Sequence, residues 1–228
     1  MVTENINRIK QTLPEGVRLV AVSKYHPASL IQEAYDGGQR IFGESHVQEL
    51  VQKYEVLPKD IEWHFIGHLQ TNKVKYIAPF VRLIHSIDSL QLLQTVEKEA
   101  AKHDRKIDCL LQFHIATEET KFGLNLDEAR QMLESPEYKA MEHVRICGVM
   151  GMATNTDDMA LVRREFASLR NIFETLKKDY FAGDAAFSEI SMGMSHDYPI
   201  AIEEGATLVR VGSSIFGARD YGTPVNDN

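Results

Sequence analysis

Residues 17–24 read VRLVAVSK. From Leu19 to Val22 the run is apolar and rich in β-branched residues. It has the length of a strand, and an unbroken apolar run of that kind suits a strand covered on both faces of a parallel sheet. Upstream, residues 3–13 place Ile6, Ile9 and Leu13 on one helical face, with Pro14 beyond. Downstream, residues 27–36 read as a helix that stops at Gly37 and Gly38. A short strand at 40–44 (RIFGE) and a helix through Tyr54 follow.

The alternation continues along the chain. Strands are predicted at 62–67, 82–88, 107–114, 144–152, 187–193 and 208–212, and helices at 70–78, 89–103, about 126–133, about 158–179 and 199–204. In the helix at 158–179, Val162, Phe166, Leu169, Phe173 and Leu176 recur at steps of four and three. Alternating β and α elements fit either an open doubly wound sheet or a closed barrel. Eight such units in this length favour the barrel. The expected fold is therefore α/β: one TIM-type (β/α)8 barrel domain over 1–228, with an extra N-terminal helix.

Composition narrows the function. The 228 residues are 43% hydrophobic and 25% charged, which excludes a disordered or fibrous chain. A net charge of −8 is a poor match to nonspecific nucleic-acid binding, which needs a basic footprint. Cys109 and Cys147 lie in apolar runs and read as buried free thiols of a reducing compartment. The first residues lack the apolar core of a signal peptide, and no run of 18 apolar residues could span a membrane, so the expected location is the cytoplasm. The usual dinucleotide and nucleoside-triphosphate fingerprints, G-x-G-x-x-G after the first strand and G-x-x-x-x-G-K-[ST], are missing from the sequence.

In such a barrel the chemistry sits at the C-terminal ends of the strands. Lys24 ends the first strand, where burial would favour a neutral, nucleophilic amine; a lysine that snorkels to solvent is the plain alternative. SMGMS at 191–195 and RVGSSIFG at 210–217 end the last two strands, the common phosphate seat of this fold. Small residues there let backbone N–H groups approach an anion, and Ser195, Ser213 and Ser214 add hydroxyls; ordinary turn chemistry is the alternative. Arg210 lies inside the last strand, so it needs a partner, either a ligand or a core carboxylate. His64 and His68 span a strand and its loop rather than a helix, and no Cys/His cluster has zinc spacing, so no metal is expected.

At these residues the chain resembles the pyridoxal-phosphate homeostasis proteins, barrels similar to the N-terminal domain of alanine racemases. The resemblance rests on AVSK at 21–24, FGE-x-x-VQE at 42–49, WHFIG-x-LQ-x-NK at 63–73, K-x-G at 121–123, SMGMS at 191–195 and RVG-x-x-IFGARDY at 210–221. It implies a Schiff base between Lys24 and pyridoxal 5′-phosphate, phosphate contacts from Ser195, Gly212 and Ser213, and Arg210 at the pyridine nitrogen. Asn72 and Lys73 match the pair after the third strand, and Lys121 matches a second lysine near the mouth. Ser191, Met192, Gly193 and Met150 complete the cofactor-binding candidates. One departure stands out: where the family usually carries asparagine and then an aromatic residue, this chain has Ser45 and His46.

The function so implied is storage and delivery of pyridoxal phosphate without substantial catalysis, with apo forms of enzymes that need the cofactor as candidate partners. The alternative is an amino-acid racemase or decarboxylase on the same barrel. The chain ends seven residues after Tyr221, leaving no room for the second domain that racemases of this fold append, so the expectation is a monomer without turnover, bound to neither nucleic acid nor membrane.

Overall fold

The computed structural model describes residues 1–119, 122–219 and 221. Eight parallel strands close into a barrel in sequence order: β1 (Arg18–Val22), β2 (Ile41–Glu44), β3 (Glu62–Phe65), β4 (Leu83–Ile87), β5 (Ile107–Gln112), β6 (Val144–Met150), β7 (Glu189–Ser191) and β8 (Leu208–Val211). Closure is made by β1 against β8, with Val20 opposite Arg210, while β1 also pairs with β2. The helices α1 (Val2–Lys10), α2 (Ala28–Asp36), α3 (Val47–Val56), α4 (Val74–Ile77), α5 (Leu90–Lys102), α6 (Leu126–Glu134), α7 (Pro136–Lys139), α8 (Met159–Tyr180), α9 (Tyr198–Glu203) and α10 (Ser213–Phe216) surround it. No helix among the described residues is long and apolar enough to cross a membrane.

The predicted (β/α)8 barrel is present, with four local differences. The first helix ends at Lys10 instead of reaching Leu13. Between β3 and β4 the predicted helix is a 3₁₀ turn at Thr71–Lys73 followed by the short α4. The single turns α7 and α10 were not predicted, because four residues carry too little periodicity to read. Strand ends are shorter than their apolar runs: Ser23 and Lys24 lie beyond β1, and Gly151 and Met152 lie beyond β6.

Successive strand residues face opposite sides of the sheet. Leu19, Ala21, Phe42, Trp63, Ile190 and Val209 join the large apolar core under the helices. Val20, Leu83, Leu110, Cys147, Met150 and Leu208 form a second, smaller cluster inside the barrel. The floor of the barrel is charged. Arg82 and Arg145 both pair with Asp108 at 2.8 Å, and Arg18 pairs with Glu189, around a cavity of about 230 Å³ that His64 also lines. The interior therefore runs from a charged floor, through an apolar layer, to the strand ends where the site lies.

Candidate functional site

Lys24 sits in the turn that leaves β1, and its neighbours on both sides are tied down. Ser23 donates its backbone N–H to Gly43 O at 3.0 Å and its hydroxyl to Glu44 Oε1 at 2.6 Å. The Tyr25 N–H donates to Glu49 Oε1 at 2.6 Å. Tyr25 takes a left-handed backbone at φ 66, a conformation side chains other than glycine rarely adopt. Lys24 is partly buried. Burial does most to lower its pKa below the ordinary lysine value; Arg219 adds to this, Glu44 and Glu49 oppose it, and Arg210 contributes least. An amine so placed loses its proton more readily and becomes a nucleophile.

Arg210 faces the barrel interior and is 4% exposed. Its Nη2 donates to Gly151 O at 3.1 Å and its Nη1 to Ser191 Oγ. Both acceptors are neutral, so the core-carboxylate alternative for this residue is not what the structure has. Desolvation pulls the guanidinium pKa down to about 10, partly opposed by Asp197, which leaves it charged near neutrality. Behind it, Ser191 Oγ meets His85 Nδ1 at 2.9 Å, and His85 Nε2 meets His64 Nδ1 at 2.9 Å. Burial first, and neighbouring cationic and imidazole groups second, keep both rings neutral: His64 falls to about 3 and His85 well below 6.5.

The loops after β7 and β8 meet each other. The Gly212 N–H points to Ser195 Oγ at 3.4 Å. Asp197, almost fully buried, accepts the Met194 N–H at 2.7 Å and so shapes the 193–197 turn. Gly193 has φ +98, and a Cβ there would lie 2.7 Å from Ala201 Cβ and 2.9 Å from Tyr198 Cα. Glycine is required on both counts, and its lack of a side chain lets the loop close onto α9. Ser213 is exposed and opens α10, whose first N–H groups point outward from the helix start.

The remaining candidates lie at various depths. Met150 is buried in the inner cluster. Met192 is buried in the outer core under the helices, so only its backbone belongs to the 191–195 loop. Asn72 is exposed and, with Lys73, lines a groove of about 580 Å³ shared with Ser45, His46 and His68. His46 does not turn inward: its ring packs on Tyr25 with centroids 5.2 Å apart, and its Nδ1 lies 3.5 Å from Glu49. Lys121 lies outside the described residues. Among those described, no group of three or more His, Cys, Asp and Glu side chains could hold a metal ion.

Sequence reasoning did not single out His85, Glu44, Glu49 or Lys53. The signal for the first two was present: a histidine and a carboxylate inside apolar strand runs, RLIHSID and RIFGE, are costly without partners.

Comparison with known proteins agrees with this geometry. The family model described as "Alanine racemase, N-terminal domain" matches residues 1–220. The pyridoxal phosphate homeostasis protein of Aquifex aeolicus is 40% identical over 205 residues, covering 90% of this chain and 88% of its own. That of Escherichia coli K12 is 37% identical over 215 residues, covering 91% and 88%. The structure of PipY from Synechococcus elongatus PCC7942 with PLP bound superposes with a TM-score of 0.84 at 36% identity, covering 95% of this chain and 100% of PipY. The chain belongs to the alanine racemase N-terminal-domain family and, within it, to the pyridoxal phosphate homeostasis proteins.

Proposed function

We propose that this protein holds pyridoxal 5′-phosphate at the mouth of its barrel, covalently through Lys24, and serves to store and hand on the cofactor. The observation that carries the reading is the arrangement of one partly buried amine, one buried guanidinium held by neutral acceptors, and two small-residue loops that meet at Ser195 and Gly212. The cofactor supplies an aldehyde that condenses reversibly with a primary amine, releasing water, and a phosphate that needs hydrogen-bond donors. Lys24 offers the amine; Ser195, Gly193, Gly212 and Ser213 offer a backbone and hydroxyl seat for the phosphate; Arg210 offers a donor for the ring nitrogen. Ser191 positions Arg210, Met150 belongs to the inner apolar cluster of the barrel, and Met192 contributes backbone alone. Asn72 stands at the rim.

Arginine does not give up its proton, so it disfavours a proton on the ring nitrogen and weakens the electron sink that amino-acid chemistry needs. This supports a binding role with little turnover, carried out by a monomer that passes cofactor to apo-enzymes. The test is the visible spectrum of protein loaded with pyridoxal phosphate, then borohydride reduction and peptide mapping. The pyridoxyl label is expected on Lys24, and Lys24→Ala should abolish both label and visible band. A reducible adduct of unchanged affinity in Lys24→Ala would refute the assignment. Incubating the loaded protein with L- and D-amino acids in deuterated water tests turnover. Exchange of the α-proton at rates ordinary for enzymes, lost in Lys24→Ala, would favour the racemase or decarboxylase reading instead.

A further inference from the structure

Lys53, on α3, is a lysine almost wholly withdrawn from solvent, with 7% of its side chain exposed. Its ammonium makes three hydrogen bonds, the full number it can donate. They run to Glu44 Oε1 at 2.6 Å, to Glu49 Oε1 at 2.8 Å, and to the backbone carbonyl of Ser23 at 2.8 Å. Each acceptor is itself joined to the Lys24 turn. Ser23 immediately precedes Lys24 and its hydroxyl donates to Glu44. Glu49 accepts the N–H of Tyr25, which immediately follows. One buried cation thus ties β2 and α3 to the backbone on both sides of the amine, across a residue in a left-handed conformation that would not hold itself there.

The arrangement also has an electrostatic side. The charges that act on Lys24 are Arg219 from the C-terminal segment, Arg210 from β8, Glu44 from β2 and Glu49 from α3. Either carboxylate, if it swung onto Lys24, would hold that amine as an unreactive ammonium. Among the described residues neither pairs with Lys24; both pair with Lys53. Glu44 is the more constrained: it is fully buried, and its second oxygen has no hydrogen-bond partner.

We infer that Lys53 is a positioning residue for Lys24: it draws Glu44 and Glu49 to itself and fixes the turn, so that the Lys24 amine is presented to an aldehyde unpaired. The inference rests on the assignment of Lys24 as the cofactor-bearing residue. Lys53 itself stays silent as a nucleophile, because all three of its donors are engaged.

The experiment measures the rate of visible-band formation with pyridoxal 5′-phosphate from pH 6 to 10, with borohydride mapping of the label. In Lys53→Met the rate profile for Lys24 should move to higher pH by about one unit, the size of one freed carboxylate, Glu49, acting over a few ångströms near the surface. At pH 7 that is about a tenfold slower reaction. Lys53→Arg, which keeps charge and donors, should restore most of the wild-type profile. A purely structural role for Lys53 would lower yield or melting temperature and leave the pH midpoint in place. An unmoved midpoint in folded Lys53→Met overturns the inference, as does label on Lys53 in the wild type. Should Lys53→Met fail to fold, Glu49→Gln reads the same property with the opposite sign: its amide still accepts from Tyr25, one carboxylate is gone, and the midpoint should fall. A Glu49→Gln midpoint equal to wild type overturns it equally. Wild-type protein that gives no adduct on Lys24 removes the assignment beneath the inference, and the inference with it; an adduct on Lys24 with unmoved variants removes the inference alone.

Discussion

Arginine donates every hydrogen bond it makes, so Ser191 Oγ is an acceptor at that end, and one direction of the chain behind Arg210 leaves no buried hydroxyl proton without a partner. Ser191 Oγ accepts from Arg210, so its own proton goes to its other partner, His85 Nδ1. His85 then carries its proton on Nε2 and donates to His64 Nδ1, which leaves the His64 Nε2–H for the charged floor. No proton can pass up this chain to a ligand, because arginine holds its own; the chain positions the guanidinium. Ser191→Ala leaves Arg210 Nη1 without an acceptor and His85 Nδ1 without a donor, both buried. A buried unsatisfied group costs ~1–3 kcal/mol, so with two of them urea unfolding should show a loss of roughly 2–6 kcal/mol, with weaker pyridoxal phosphate binding in the same variant. In ¹⁵N spectra both rings should show the Nε2–H tautomer; an Nδ1–H signal from His85 would refute the direction.

At the scale of elements, the proposed phosphate seat is made of two loops rather than one helix. Ser195 and Gly212 meet across them, and Gly193 keeps the first loop close to α9. Charge-assisted hydrogen bonds contribute roughly 1.5–3 kcal/mol each, so Ser195→Ala should weaken pyridoxal phosphate binding by about tenfold or more. Pyridoxal, which lacks the phosphate, should be nearly insensitive; equal losses for the two ligands, measured by equilibrium titration, would count against the seat. These loops were legible in the sequence because small residues and hydroxyls clustered at two strand ends. The barrel was legible for a similar reason: eight short runs rich in apolar residues alternated with helical patterns along the chain. What was not legible came from contacts distant in sequence. The turn at Ser23 and Lys24 breaks the strand because Glu44 and Lys53 claim Ser23, and nothing local to VRLVAVSK announces them. Likewise His85 reads as a lone polar residue until Ser191, 106 positions away, is brought beside it.

For the whole molecule, the buried titratable groups set how stability responds to acid. His64 and His85 are neutral in the folded barrel but take up protons near the ordinary value of 6.5 once unfolded. Their folded pKa values are depressed, so below pH 6.5 the unfolded chain binds more protons and stability falls with pH; for His64 this persists down to about 3. Glu44 acts in the other direction. Burial raises its pKa from 4.5 to about 7, against the pull of Lys53, so between those values the folded state is the one holding the extra proton. One proton is worth about 1.4 kcal/mol per pH unit. Between pH 6.5 and 4.5 the two histidines outweigh the one carboxylate, so these three groups together make stability fall as the solution is acidified. Glu44→Gln removes the opposing group, and the loss of stability per pH unit should steepen by up to about one proton's worth. His64→Phe removes one of the two histidines, and the slope should become shallower over the same window. Urea titrations of the three proteins at half-unit steps of pH measure all of this directly. Parallel curves for wild type and His64→Phe would mean that the buried rings are not what makes the barrel sensitive to acid.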